Sequence, residues 1–319
     1  MNFGFGVDVG GTTVKIAYFN QEGSLLDKWE IPTDTKNGGT QILPDIAASI
    51  SDYLEKKNIP RSQVIGIGIG VPGPVDDDGN VNCCSNLGWG VFNVHEALKA
   101  LTGLPVKAGN DANVAALGEA WKGGGHGCEN MLLATFGTGV GGGIIIGGQP
   151  INGAHGAAGE IGHVMVNRHE QEPCTCGNYG CAEQYCSATG VVRLAKMKLS
   201  ASDRDSLMRT CQHLTCKDVF DAGAKGDALA LEVLEQVYDY MGQFLAAVCC
   251  TLDPELVVLG GGVSNAGQPF LEGVKRYFDK YIFHASRSIG FALAVLGNSA
   301  GTYGAFKLIL DAQRKSFQE

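Results

Sequence analysis

The chain has 319 residues, of which 45% are hydrophobic and 18% charged, and its net charge is −9. That composition suits one large or two ordinary soluble globular domains and excludes a disordered or fibrous chain. The acidic balance, with no basic cluster or stripe, argues against nucleic-acid binding, yet leaves room for a small anion such as ATP held by local loops. No apolar window reaches the roughly eighteen residues of a membrane span, and residues 1–9 lack the basic and apolar regions of an export leader. The eleven cysteines are therefore expected to be reduced cytoplasmic thiols plus one metal site.

In chain order, residues 3–9 alternate and are rich in valine and phenylalanine, which predicts a strand. A turn at Gly10-Gly11-Thr12-Thr13 leads into a returning strand at 14–19 and another at 25–31. Residues 41–57 carry Ile42, Ile46, Ile50 and Leu54 at helical spacing and stop near Pro60. A buried strand at 64–71 ends at Pro72-Gly73-Pro74, followed by a helix at 93–101, a strand at 106–109 and a helix at 112–121. A second glycine-turned hairpin is expected from 131–136 and 142–146. Helices at 190–199, 216–224 and 228–251, a strand at 256–259, a helix at 269–281, a strand at 291–295 and a helix at 300–312 close the chain. Strands alternating with helices make an α/β protein. Val7-Asp8-Val9-Gly10-Gly11-Thr12 and Ala134-Thr135-Phe136-Gly137-Thr138-Gly139 repeat one strand–turn pattern, so two related lobes flanking a cleft are expected.

Three glycine turns follow strands, at 10–13, 137–143 and 260–262. Glycines let backbone N–H groups converge on phosphate oxygens, and threonine hydroxyls add donors. With Asp8 beside the first turn, the set points to nucleotide phosphates and their magnesium. Lys15 is either a charge partner there or a solvated strand lysine. The G-x-G-x-x-G spacing occurs at 68/70/73 and 137/139/142, but neither opens a helix as a dinucleotide fold requires, and no P-loop occurs. Asn110-Asp111 stands at a strand end, where ligands of α/β sheets sit. Locally, Asp111 could instead simply cap the following helix.

The densest chemistry lies between Glu160 and Glu183. His163, Cys174, Cys176 and Cys181 supply one imidazole and three thiolates, the donor set of a closed tetrahedral zinc site. Gly177 and Gly180 permit the positive-φ turns that such convergence needs. Cys186 is the rival for one ligand position. A zinc loop would hold His163 close to Glu160 and Glu183, and these carboxylates suit a neutral polyol, accepting paired hydrogen bonds from adjacent hydroxyls.

Together these segments resemble the ROK family of sugar kinases and repressors, with the closest likeness to its bacterial glucokinases. The resemblance rests on Asp8-Val9-Gly10-Gly11-Thr12, Val71-Pro72-Gly73-Pro74, Asn110-Asp111-Ala112-Asn113, Gly137-Thr138-Gly139-Val140-Gly141-Gly142-Gly143, Glu160-Ile161-Gly162-His163 and the cysteine cluster with Glu183. It implies a two-lobed actin-like, hexokinase (RNase H-like) fold of duplicated α/β domains with a central cleft and a small zinc-binding loop. The implied lobes are 1–109, with a C-terminal helix at about 300–319 packing back on it, and 110–299, containing the zinc loop 163–181.

The resemblance also implies ATP-dependent phosphorylation of the 6-hydroxyl of glucose with Asp111 as general base. Asn110, Glu160, His163, Glu183, Gly73 and Asn86 (in Ser85-Asn86-Leu87-Gly88-Trp89) become sugar contacts. Asp8, Gly10, Gly11, Thr12, Thr13, Lys15, Thr138 and Gly139 serve the phosphates, with Gly261 and Gly262 near the adenosine. His163, Cys174, Cys176 and Cys181 become the ligands of a structural zinc, which demotes Cys186. The family also implies Mg2+, a homodimer or homotetramer, water exclusion by lobe closure, and other hexoses or polyphosphate as alternative substrates. A sugar-responsive repressor is disfavoured, because Asp8 leaves no room before it for a helix-turn-helix.

Overall fold

The computed structural model describes residues 2–82, 84 and 86–316; Ser85 of the expected sugar-contact stretch, and 317–319 of the expected C-terminal helix, lie outside the described residues. Strand β1 (Phe3–Val9) sends Phe5, Val7 and Val9 into the core and pairs antiparallel with β2 (Thr13–Asn20). The third strand, β3 (Leu25–Pro32), alternates half-buried and exposed residues, the pattern of an edge strand wet on one face. The short α1 (Lys36–Gly39) contains left-handed Asn37 and Gly38, which no apolar periodicity announced. Helix α2 (Ile42–Lys56) buries Ile42, Ile46, Ile50 and Leu54, as their spacing predicts.

Strand β4 (Val64–Val71) is buried almost throughout and runs parallel to β1, as a central strand does. A small ribbon of β5 (Asn80–Val81) and β6 (Phe92–Asn93) leads into α3 (Val94–Thr102), capped by the Asn93 side chain. Then β7 (Val106–Asn110) pairs parallel with β4 and runs directly into α4 (Asp111–Lys122). The first sheet has the order β3-β2-β1-β4-β7.

The second sheet, β10-β9-β8-β11-β12, repeats the plan. Its strands are β8 (Met131–Phe136), β9 (Val140–Ile146), β10 (Gln149–Pro150), β11 (Leu256–Gly260) and β12 (Gly290–Leu293). Between β10 and β11 lie α5 (Glu183–Cys186), α6 (Ala188–Ser200), α7 (Cys216–Ala224) and α8 (Ala228–Leu252). Helix α9 (Gln268–Tyr281) joins β11 to β12, and α10 (Ala300–Ser316) follows β12. No helix among the described residues is long and apolar enough to cross a membrane.

The chain forms two compact units. One comprises Met1–Glu129, Gly143–Gly159 and Val295–Glu319; the other comprises Asn130–Gly142 and Glu160–Ala294. The expected strand 291–295 stops short because Val295 and Leu296 donate their N–H groups to the buried carboxylate of Glu119, at 3.2 and 2.9 Å, instead of to a neighbouring strand.

Gly4 and Gly6 of β1 and Gly66, Gly68 and Gly70 of β4 leave these two strands nearly bare on one face, and α10 packs against them. A Cβ on Gly6 would sit 2.0 Å from the Thr302 carbonyl oxygen, and one on Gly68 only 1.6 Å from that of Ala305. Gly68→Ala is expected to destabilise the protein by about 1–3 kcal/mol or more, since backbone must move to admit the methyl. Denaturant unfolding measures this, and an unchanged midpoint would contradict so close a contact.

Candidate active site

The first unit places Gly73, Asn110 and Asp111 together. Asn110 is extended, and its side-chain oxygen accepts the N–H groups of Ala112 and Asn113 at 3.0 and 3.1 Å. The N-cap of α4 is thus Asn110. The Asn110 amide nitrogen donates to the Gly73 carbonyl at 3.0 Å and to Asp111 Oδ1 at 3.1 Å. Asp111 Oδ1 also accepts from Ala112 N–H at 2.8 Å. Its carboxylate sits half-buried in the first turn of a helix, where the macrodipole favours negative charge. Asn86 is exposed in a turn, and among the described residues no hydrogen bond joins it to this group.

In the same unit, Asp8 on β1 faces Lys15 on β2, with Lys15 Nζ 3.3 Å from Asp8 Oδ2. Lys15 is therefore an ion-paired residue and not a freely solvated one. Gly10 N–H donates to Thr13 O at 3.0 Å, closing the turn. Thr33, just after β3, braces it through its hydroxyl to Gly10 O at 2.7 Å and its N–H to Thr12 O at 3.0 Å. Gly301, at the start of α10, has a role no local pattern announces. A Cβ there would come 2.6 Å from Asp8 Cγ, so the carboxylate occupies space that only glycine leaves.

The second unit gathers His163, Cys174, Cys176 and Cys181, whose ligand atoms all lie within 4.8 Å of one another. Zinc with sulfur ligands at about 2.3 Å demands S···S separations of about 3.8 Å across a tetrahedron. Cys176 Sγ and Cys181 Sγ are 3.7 Å apart, and Cys174 Sγ is 3.9 Å from His163 Nδ1. The sulfur pair is far too distant for a disulfide, whose bond is about 2.05 Å. The residues fit the ion in number, donor type and spacing. Cys186 is fully buried on α5 and stands outside the group.

Gly177 and Gly180 adopt φ of 89° and 73°, and a Cβ on Gly180 would meet the Asn167 carbonyl at 1.9 Å. Burial and the neighbouring thiols push the Cys181 thiol up to about 12, so a thiolate there needs a compensating cation. With His163 Nδ1 turned to the sulfurs, Nε2 faces Glu160, 3.9 Å from its Oε2.

The turn after β8 adjoins this loop. Gly137 N–H donates to Gly139 O at 2.9 Å, and α6 clamps the turn from below. Ala188 N–H reaches Gly137 O at 2.8 Å, and Thr189 Oγ1 reaches Thr138 O at 2.9 Å. Glu183 Oε2 accepts Val140 N–H at 3.0 Å, linking Glu183 to the start of β9 just after this turn. Gly261 has φ of 81°, and a Cβ on it would lie 2.5 Å from Phe136 O, so the turn after β11 abuts the end of β8. A cavity of about 740 Å³ opens beside Thr138, lined by Thr189, Val192, Lys196 and Leu214 among others.

A family model described as ROK family matches residues 4–312. A glucokinase of Halalkalibacterium halodurans is 43% identical over 309 residues, covering 95% of this chain and 94% of that protein. A glucokinase of Thermotoga maritima is 32% identical over 310 residues, 95% of this chain and 96% of its own length. Among solved structures, the ROK family glucokinase from Streptomyces griseus in complex with glucose and AMPPNP matches with a TM-score of 0.75 at 31% identity. That match covers 98% of this chain and 100% of the other.

Proposed function

The chain belongs to the ROK family, and from that premise we propose that it transfers the γ-phosphoryl group of ATP to the 6-hydroxyl of glucose. The observation that carries the chemistry is the Asn110–Asp111 junction. A carboxylate at a strand end is oriented through one oxygen by the Asn110 amide and the Ala112 N–H, beside the residue that caps the helix. Phosphoryl transfer asks little covalent help of a protein; it needs placement, charge neutralisation and a group to take the hydroxyl proton.

Asp111 accepts that proton as the 6-oxygen attacks the γ-phosphorus and the bond to the bridging oxygen breaks, releasing ADP. Asn110 holds Asp111 in register and, with Gly73, fixes the backbone around it. Glu160, Glu183 and His163 Nε2 bind sugar hydroxyls, the carboxylates accepting charge-assisted hydrogen bonds. The turns at Gly10-Gly11-Thr12-Thr13 and Thr138-Gly139 present N–H and hydroxyl donors to the phosphates, and Gly261 and Gly262 lie near the adenosine. Asp8, close to the first turn, is the residue that would hold Mg2+, which neutralises phosphate charge when bound, and Lys15 is its charge partner. His163, Cys174, Cys176 and Cys181 would hold zinc, which with four protein ligands would supply a structural crosslink. Sugar-dependent ADP release from Mg-ATP tests the whole reading.

A further inference from the structure

Glu183 is held at both carboxylate oxygens. Oε2 accepts the Val140 N–H at 3.0 Å, and Oε1 accepts the Thr175 hydroxyl at 3.1 Å. The Cys174 thiol lies 3.9 Å from the same Oε1. Thr175 stands between Cys174 and Cys176 in the cysteine loop, so its backbone is fixed by whatever fixes those two residues. The backbone next to Glu183 is equally constrained: Gln184 Oε1 accepts the N–H groups of Gly180 and Cys181 at 2.9 and 3.1 Å. On the other side, a Cβ on Gly139 would come 2.3 Å from Glu183 Oε2, so the carboxylate lies against the turn itself.

A carboxylate offers about four lone-pair positions on its two oxygens. With one on each oxygen occupied, the carboxyl plane cannot rotate without breaking a charge-assisted bond, and the remaining positions point in set directions. We propose that Thr175 is a positioning residue for hexose binding: its hydroxyl fixes the plane of Glu183, which presents its remaining acceptor positions to the sugar hydroxyls. The inference rests on the reading of Glu183 as a sugar ligand. Because the same carboxylate is bound by Val140, it joins the sugar contact to the phosphate turn through one hydrogen bond.

The test compares Thr175→Val, which keeps the shape and removes the hydroxyl, with Thr175→Ser, which keeps the hydroxyl. Glucose affinity is measured by calorimetry, steady-state constants by ADP release, and zinc per chain by elemental analysis. Thr175→Val is expected to raise the glucose Kd and KM roughly tenfold, the loss of one hydrogen bond to a charged group. The KM for ATP and the zinc content should stay at wild-type values, and Thr175→Ser should restore glucose affinity. A Thr175→Val protein that binds glucose like wild type overturns the inference and leaves the hexokinase reading standing. Loss of zinc in Thr175→Val also overturns it, by assigning the residue to folding of the metal loop. Wild-type protein that binds no hexose overturns both readings.

Discussion

Replacing Asp111 with asparagine should abolish turnover while leaving glucose binding nearly intact. The amide oxygen of the new side chain can still accept from Asn110 Nδ2 and Ala112 N–H, which bind Asp111 Oδ1 at 3.1 and 2.8 Å. The helix start keeps its cap, because that task belongs to Asn110. What is lost is an oxygen able to take a proton from the attacking hydroxyl. General-base catalysis of this kind is worth about 10²- to 10⁴-fold, so kcat should fall by that factor with the glucose Kd within about twofold. Steady-state kinetics paired with calorimetry measures both. A variant with wild-type kcat would remove Asp111 from the role of base.

Stripping zinc should cost both activity and sugar affinity. The ion would crosslink His163 to a loop whose next residues hold Glu183, and Glu160 faces the other nitrogen of the same imidazole. Without it, three thiols and a histidine within 4.8 Å of one another would rest on the hydrogen bonds of the loop alone. Prolonged treatment with a strong chelator, or Cys176→Ser, should lower kcat/KM for glucose at least tenfold, about 1.4 kcal/mol. The loss should come faster as pH falls, because protons compete with the metal for thiolates and imidazole. Metal content and activity followed together through dialysis at two pH values check this. Undiminished activity in metal-free protein would show that the ion does not shape the sugar contacts.

Much of the architecture was legible because it rests on periodicity. Strand β4 and helix α7 lie at the residues that their apolar patterns mark, and α2 buries the four residues its spacing selects. Glycine turns after β1, β8 and β11 were equally visible as glycine clusters that follow apolar strands. Two features were obscured by long-range partners. The end of β12 depends on Glu119, a buried acid on α4 that draws the following N–H groups away from the sheet. The division of labour at Asn110-Asp111 is invisible locally, because either residue type caps helices well. The cluster of His163, Cys174, Cys176 and Cys181 was legible in its spacing, with Cys186 as a rival, yet the orientation of His163, with Nδ1 to sulfur and Nε2 to Glu160, required coordinates. Thr175 and Gly301 matter only through Glu183 and Asp8, which the fold brings to them.

The most direct test of the central claim is ADP release from Mg-ATP by the purified protein, across glucose, fructose, mannose, N-acetylglucosamine and N-acetylmannosamine. The expected result is sugar-dependent release with the highest kcat/KM for glucose, and a product phosphorylated at the 6-hydroxyl. A preference for an N-acetyl sugar would keep Asp111 and the zinc loop in their roles but contradict glucose as the substrate. No sugar-dependent release from zinc-loaded protein would contradict the kinase itself.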